Sequence, residues 1–244
     1  MIATMMGMEL EEEWHVHLPD KAPFKHLFKF SDKEILHMMT SDEWTRAVFV
    51  REPKERVLSA FLDKFCKNKK QFFKFCCEQL DDKGQIECRD RMRAWDFRYF
   101  LKRTRDCPNQ HWDLQSARID TKWWPSINFI GHMSNIEVDS RTLLESLTST
   151  EDPHESAWEK YGKTGWGKNG TQPFFHQDTA EHATHSHDKL KNFYKAPCDE
   201  TFVEKYWAED WKSPYFVFDT TVKVHENVTD MDFDVDCKWF DKHK

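Results

Sequence analysis

The chain has 244 residues, a net charge of −7 and 15% aromatic residues, with only 7 glycines. This length and aromatic content suit the core of one α/β domain, and the low glycine count argues against a glycine-rich repeat protein. The acidic balance gives no general reason to expect nucleic acid as a partner. The sequence has no run of about 18 apolar residues, so we expect no membrane contact by this segment itself.

The first clear element in chain order is a short helix that begins after Ser31. Glu34 follows three residues later, which is the pattern of a capping box. The apolar run Ala47–Val50 then predicts a strand, and Pro53 suits the first position of a helix. Apolar side chains recur at helical spacing at Leu58, Phe61, Leu62 and Phe65. Similar patterns predict helices at 72–80, 92–103, 138–147, 188–194 and 200–211, and a buried strand at 126–131.

Three polar side chains surround the turn between this strand and this helix. Arg51 lies at the carboxyl end of the strand, and Arg56 and Ser59 share one face of the first helical turns. A cation, a helix N-terminus and a hydroxyl that converge can bind a phosphate group. The alternative is an ordinary strand-to-helix turn with surface arginines.

Residues 46–65 resemble the 3′-phosphate-binding motif of Golgi-type carbohydrate sulfotransferases, such as those that act on chondroitin. The positions that fit the motif are Arg51, Pro53, Arg56, Ser59, Ala60, Phe61, Lys64 and Phe65. Later stretches resemble the same family in the same order, at 109–115, 127–139, 182–194 and 202–210. The last two include Thr184, Lys189, Tyr194, Tyr206 and Asp210.

The resemblance implies an α/β fold, with the P-loop-NTPase-like three-layer arrangement and central parallel sheet of the sulfotransferases. It implies one sulfotransferase-like domain over residues 1–244. The reaction would move a sulfuryl group from 3′-phosphoadenosine 5′-phosphosulfate (PAPS) to a hydroxyl of a carbohydrate acceptor, with release of 3′,5′-ADP (PAP). Arg51 and Ser59 would hold the 3′-phosphate with support from Arg56. No oligomeric state is predicted.

One departure concerns the phosphosulfate loop with which the family opens. That loop is a strand, a Gly/Ser/Thr-rich turn with a Lys, and a helix, and residues 1–12 would match only the helix. We therefore expect the domain to be N-terminally incomplete relative to the family, without its first strand and this loop. The main alternative is a non-catalytic sulfotransferase-like protein that binds a glycan or PAP, and the second is a nucleotide kinase of similar architecture.

His111 is the candidate catalytic base, because related enzymes use a His or a Glu to take the proton from the acceptor hydroxyl. A histidine pKa near 6.5 suits a base at neutral pH, and the adjacent Trp112 could stack on a sugar. The alternative is a histidine that forms local hydrogen bonds and packs against Trp112. His132, at the end of the strand at 126–131, is a second candidate.

The chain has 7 cysteines and no CxxC pair, which argues against a structural zinc site. Two or three disulfides and a free thiol would fit a secretory route, which the sequons at Asn169 and Asn227 also favour. Residues 1–10 do not have the pattern of a signal peptide. The resemblance places the domain in the Golgi lumen, as part of a type II membrane protein whose anchor lies outside this sequence.

Three patterns resemble ligand motifs without fitting them. Residues 161–165 contain Gly-Lys-Thr, but Ala157 stands where a Walker A loop needs glycine. The histidines at 176, 182, 185 and 187 have no accompanying cysteine. The acidic alternation at 230–236 has Val235 where a calcium loop needs glycine, and it predicts an edge strand instead. We therefore predict no metal site.

Overall fold

The computed structural model describes residues 25–148, 154–162 and 184–218. The chain divides into two compact units, Met1–Phe49 with Lys122–Ala180 and Val50–Thr121 with Glu181–Lys244. The prediction of a single domain over residues 1–244 stays a prediction.

The described elements are mostly helices. In chain order they are α1 (Asp32–Thr40), β1 (Ala47–Val50), α2 (Pro53–Ala60), α3 (Lys69–Cys76), α4 (Asp82–Arg93), α5 (Phe97–Asp106), β2 (Phe129–His132), α6 (Ile136–Ser146), α7 (Ser186–Phe193), α8 (Pro197–Tyr206) and α9 (Ala208–Lys212). A π-helical segment, Phe61–Lys67, continues α2, and a second one covers Trp158–Gly162. Short 3₁₀ turns occur at Leu27–Lys29, Ser116–Arg118, Thr121–Ser126 and Met133–Asn135.

Helix α1 in the first unit begins with the predicted capping box. The Glu34 carboxylate accepts the backbone N–H of Ser31 at 2.8 Å, and the Ser31 hydroxyl accepts the N–H of Glu34. These reciprocal bonds satisfy two backbone donors that would otherwise lack partners at the helix start. The prediction of a helix after Ser31 is confirmed.

The strands β1 and β2 form a two-stranded parallel sheet in the first unit. At Gly131 a β-carbon would lie 2.4 Å from a ring carbon of Phe49, so the close packing of the strands requires glycine there. The guanidinium of Arg46 donates to the backbone carbonyls of Met38, Ser41 and Ser126 and fixes the entry to the sheet. The α/β prediction is confirmed at this level: a helix-rich chain with a small parallel sheet fits the fold that the resemblance implies.

The second unit packs its helices around an aromatic core. Its large buried rings include Phe61, Phe65, Phe72, Phe97, Phe100 and Trp112. Several ring pairs meet edge to face, such as Phe65 with Phe72 at 4.9 Å between centroids. Burial of each such side chain contributes about 1.5–3 kcal/mol, and the edge-to-face geometry adds about 0.5–1.5 kcal/mol per pair. This core gives α2 a firm support.

The prediction of one helix over 92–103 is wrong, because two helices meet there. Helix α4 ends at Arg93, and Trp95 adopts a left-handed backbone with φ 53°. Asp96 then caps α5, and its carboxylate accepts the N–H of Tyr99 at 2.9 Å. A non-glycine residue with positive φ has no clear sequence signal, which explains the error.

Two disulfides lie in the second unit, Cys76–Cys107 and Cys77–Cys88. Cys198 is also disulfide-bonded, and Cys66 is a buried free thiol. The expectation of two or three bridges and a free thiol agrees with these pairs. The two sequons lie outside the described residues.

Candidate functional site

The backbone of Arg51 is held by one side chain from a distant part of the second unit. The N–H of Arg51 donates to Gln115 Oε1 at 2.8 Å, and Gln115 Nε2 donates to the carbonyl of Arg51 at 2.7 Å. Gln115 is 9% exposed, so water competes little for these bonds. The direction in which Arg51 leaves the strand is therefore set by Gln115.

The guanidinium of Arg51 carries a partly buried positive charge. Burial lowers the pKa of Arg51, and the nearby Glu55 carboxylate opposes that shift. Among the residues that the structure describes, none forms an ion pair with this guanidinium. A buried charge without a partner costs free energy, and an anionic ligand would remove that cost.

The amide groups at the start of α2 are used by the chain itself. Glu52 is the N-cap, and its carboxylate accepts the N–H of Glu55 at 2.9 Å while its carbonyl accepts the N–H of Arg56. Pro53 has no N–H to offer. Burial raises the pKa of Glu52 to about 7. The predicted contribution of the helix N-terminus to phosphate binding is therefore corrected, because Glu52 occupies it.

Arg56 supports the site by holding a loop. Its guanidinium donates to the backbone carbonyls of Asp113 and Gln110, the latter at 2.9 Å. Burial lowers the pKa of Arg56 to about 10, so the side chain stays charged at neutral pH. The charge of Arg118 lies close enough to contribute to this lowering. The charge of Arg51 contributes to the same lowering, so Arg56 lies within electrostatic range of both other arginines.

Ser59 and Glu55 lie one helical turn apart on α2 and are covered by the segment before and within α7. The hydroxyl of Thr184 donates to Ser59 Oγ at 3.0 Å, and His187 Nδ1 lies 2.6 Å from Glu55 Oε1. The bond to Glu55 raises the pKa of His187. Two residues of the late sequence segment are thereby joined to the face of α2 that carries Ser59.

A buried carboxylate, Asp210, organises the loop that holds Arg51. It is fully buried and accepts the N–H of Gln115 at 3.0 Å, the N–H of Ser116 at 2.9 Å and the hydroxyl of Ser116 at 2.8 Å. These bonds join α9 to the loop at Gln115 and through it to Arg51. The motifs at 51–59, 109–115 and 202–210 thus meet in one hydrogen-bonded group.

His111 lies in the loop that Arg56 holds, in a positive environment. Its backbone N–H donates to the side-chain oxygen of Asn109 at 3.1 Å. Burial and the charges of Lys64, Arg56 and Arg118 together lower the pKa of His111 to about 4, and the charge of Asp63 opposes them. The imidazole is therefore neutral at neutral pH, and the argument from an unshifted pKa near 6.5 does not hold in the ligand-free domain.

Trp112 belongs to the core and is 2% exposed. Its indole N–H donates to the carbonyl of Cys107 at 2.7 Å, and its ring packs against Phe72 and Phe100. The expectation that Trp112 could stack on a sugar is wrong, since the ring is enclosed by protein. Its role is to fix the loop that carries His111.

His132 lies in the other compact unit. Its backbone N–H donates to Asp139 Oδ2 at 2.6 Å, and its ring nitrogen Nδ1 lies 3.6 Å from the same oxygen. These contacts connect the end of β2 to the first turn of α6. The second candidate base is thus engaged with a carboxylate of its own unit.

Two further searches concern metals and membranes. In the described ranges no group of three or more His, Cys, Asp or Glu side chains is arranged to hold a metal ion. His176, His182 and residues 230–236 lie outside those ranges, as does most of the Gly-Lys-Thr segment. Within the described residues, no helix is long and apolar enough to cross a membrane.

The comparison with protein families decides the classification. Residues 8–210 match the model of the Sulfotransferase family, which is most of the chain. The chain belongs to the sulfotransferase family. No curated protein and no solved structure gives a significant match. Sulfuryl transfer to an acceptor is therefore the general activity that the family supports for this domain.

Three residues of the candidate site have no counterpart among the residues predicted from the sequence. Glu52, His187 and Arg118 have no role in the motif as it was matched. Arg118 is exposed and follows the Gln115 loop in a short 3₁₀ turn. The only sequence signal for Arg118 is a basic side chain near a predicted catalytic segment. Many surface arginines share that feature, so it does not identify a site residue.

Proposed function

We propose that this domain binds PAPS and transfers its sulfuryl group to a hydroxyl of a carbohydrate acceptor, releasing PAP. Membership of the sulfotransferase family supports the reaction class. The motifs at 46–65, 109–115 and 202–210 support the Golgi-type subclass, because they resemble that subclass in sequence. The carbohydrate acceptor rests on the same resemblance.

The observation that carries this proposal is the guanidinium of Arg51. It is partly buried, its backbone is fixed by Gln115, and no described residue forms an ion pair with it. A 3′-phosphate would supply the missing negative charge through charge-assisted hydrogen bonds. Ser59 would add a hydroxyl, and Arg56 would add charge while it holds the neighbouring loop.

His111 is the proposed base for the acceptor hydroxyl. It is neutral at neutral pH and lies among the charges of Arg56, Lys64 and Arg118. A bound nucleotide with its phosphates would offset those charges and raise the pKa of the imidazole toward the range of an effective base. Sulfuryl transfer resembles phosphoryl transfer, in which positioning and charge stabilisation supply most of the catalysis.

The finer fold and the compartment belong to the same proposal. The P-loop-like three-layer arrangement, with a loop for the 5′-phosphosulfate, rests on the family resemblance. The disulfides Cys76–Cys107 and Cys77–Cys88 support an oxidising compartment such as the Golgi lumen.

The test is calorimetric titration of the wild-type chain and Arg51→Ala with PAP and with AMP, which lacks the 3′-phosphate. We expect Arg51→Ala to weaken PAP binding by about ten- to thirty-fold or more, since a charge-assisted bond contributes about 1.5–3 kcal/mol. AMP binding should change little. Arg93→Ala is the matched control, because Arg93 is exposed and pairs with Asp90 on α4.

Two outcomes would contradict the proposal. Equal PAP affinity in wild type and folded Arg51→Ala would remove Arg51 from the donor site. PAP binding without transfer from labelled PAPS to any carbohydrate acceptor would instead favour a non-catalytic glycan- or PAP-binding protein.

A further inference from the structure

The hydroxyl of Ser59, a ligand of the proposed 3′-phosphate site, is hydrogen-bonded to a second hydroxyl. Its oxygen accepts the Thr184 hydroxyl at 3.0 Å, which occupies one lone pair and leaves the Ser59 O–H as a donor. In the described part of the chain no acceptor is recorded for that O–H. A hydroxyl that accepts one hydrogen bond and whose own O–H has no acceptor can donate that O–H to an anion.

Thr184 is itself held from two sides. It is 7% exposed, and its carbonyl accepts Lys189 Nζ at 2.8 Å. Three residues on, His187 binds the buried Glu55 carboxylate at 2.6 Å. Between them His185 has φ 47°, a left-handed conformation that a non-glycine residue adopts at a cost of about 1–3 kcal/mol. Such a conformation persists where the surrounding contacts hold it, so the position of Thr184 is well defined.

The pair His187–Glu55 also affects the charge of this face. Glu55 is the carboxylate whose charge acts on Arg51, and by itself it would repel an incoming phosphate. The contact with His187 joins that carboxylate to the segment that carries Thr184. Glu52 and Asp188 are the other acidic groups that act on His187.

We infer that Thr184 is a positioning residue of the donor site, whose hydroxyl orients Ser59 so that the Ser59 O–H donates to the 3′-phosphate of PAPS. The inference rests on the proposed function. Consecutive hydrogen bonds polarise one another, so the bond from Thr184 strengthens the donor character of Ser59. Thr184 acts through Ser59 and need not touch the nucleotide.

The experiment compares PAP and AMP affinities by calorimetry for Thr184→Val, Thr184→Ser, Ser59→Ala and the Thr184→Val/Ser59→Ala double variant. Valine keeps the shape of threonine without the hydroxyl. We expect Thr184→Val to weaken PAP binding about three- to tenfold, the scale of one neutral hydrogen bond, with little change for AMP. Thr184→Ser should restore PAP binding, and the double variant should bind as weakly as Ser59→Ala alone. Thr142→Val in α6 is the matched control, since Thr142 is an exposed helical threonine.

The results separate this inference from the function on which it rests. If Arg51→Ala loses PAP affinity while Thr184→Val keeps it, the inference is overturned and the donor site stands. Equal losses for PAP and AMP, or additive effects of the two substitutions, would also overturn it. Failure of the folded wild-type chain to bind PAP would overturn both.

Discussion

Two cations at the start of α2 have opposite surroundings. Lys54 is 4% exposed, and its ammonium group pairs with Glu200 and, at 2.8 Å, with Glu204. Burial lowers the pKa of Lys54, but the bonds to the two carboxylates outweigh burial and leave the pKa raised. Arg51, three residues earlier, is partly buried without an ion-pair partner in the described part of the chain.

The difference separates a structural charge from a ligand-binding charge. A buried cation with two carboxylates joins α2 to α8 and has no capacity for another anion. A buried cation without a carboxylate reduces the stability of the free domain and gains from an anion. The same helix start can therefore hold the fold together through one residue and, in the proposed function, bind a nucleotide through another.

The largest expected effect is on stability, for Lys54→Met. Removal of the cation takes the ammonium partner from the buried Glu200 carboxylate, which should lower the free energy of unfolding by about 3–5 kcal/mol. Urea denaturation at neutral pH measures this change, with Lys83→Met on the exposed side of α4 as the control. The double substitution Lys54→Met/Glu200→Leu should recover part of the loss. A loss below about 1 kcal/mol for the single variant would show that the pair is solvated and not a buried one.

The next largest effect is expected for Asp210→Asn. This substitution tests whether binding at Arg51 depends on the loop that Asp210 holds. An amide in place of the carboxylate keeps one acceptor and adds a donor that faces the N–H groups of Gln115 and Ser116. We expect PAP affinity to fall about tenfold and the free energy of unfolding to fall by about 1–3 kcal/mol. Hydrogen exchange at the Gln115 and Ser116 amides should speed up. Reduced stability with unchanged PAP affinity would restrict Asp210 to a purely structural role.

Features that depend on residues close together in the sequence could be predicted, and contacts between distant residues could not. The capping box at Ser31 and the strand–helix motif around Arg51 depend on residues a few positions apart, so local spacing was enough. The pair Lys54–Glu200 joins residues 146 positions apart, and Gln115 reaches Arg51 across 64. No periodicity within one segment encodes such contacts.

Errors arose where packing decided the role of a residue. Trp112 has the side chain of a sugar platform, but the core encloses it. The helix break at Trp95 depends on a left-handed backbone conformation, and no glycine at that position indicates it in the sequence. Glu52 shows the converse, since the motif gives it no special role and yet its side chain caps α2.

The smallest expected effect is a shift in the pKa of His111. It tests whether the positive charges near Arg51 also act on the proposed base. In the free domain burial and neighbouring cations lower the pKa of His111 to about 4, below the ordinary value near 6.5. The imidazole should therefore remain neutral as the pH falls from 8 to about 5, and it should protonate only near pH 4. NMR titration of the ring protons, assigned with His111→Gln, measures this directly.

Addition of PAP should raise the pKa of His111, because bound phosphate offsets the charges of Arg56, Lys64 and Arg118. The half-buried His26, which belongs to the first unit, serves as the internal control. If the pKa of His111 stays near 4 when PAP is bound to the domain, the imidazole is too weak a base for the acceptor hydroxyl. In that case the loop held by Arg56 would position the donor, and another group would have to remove the proton.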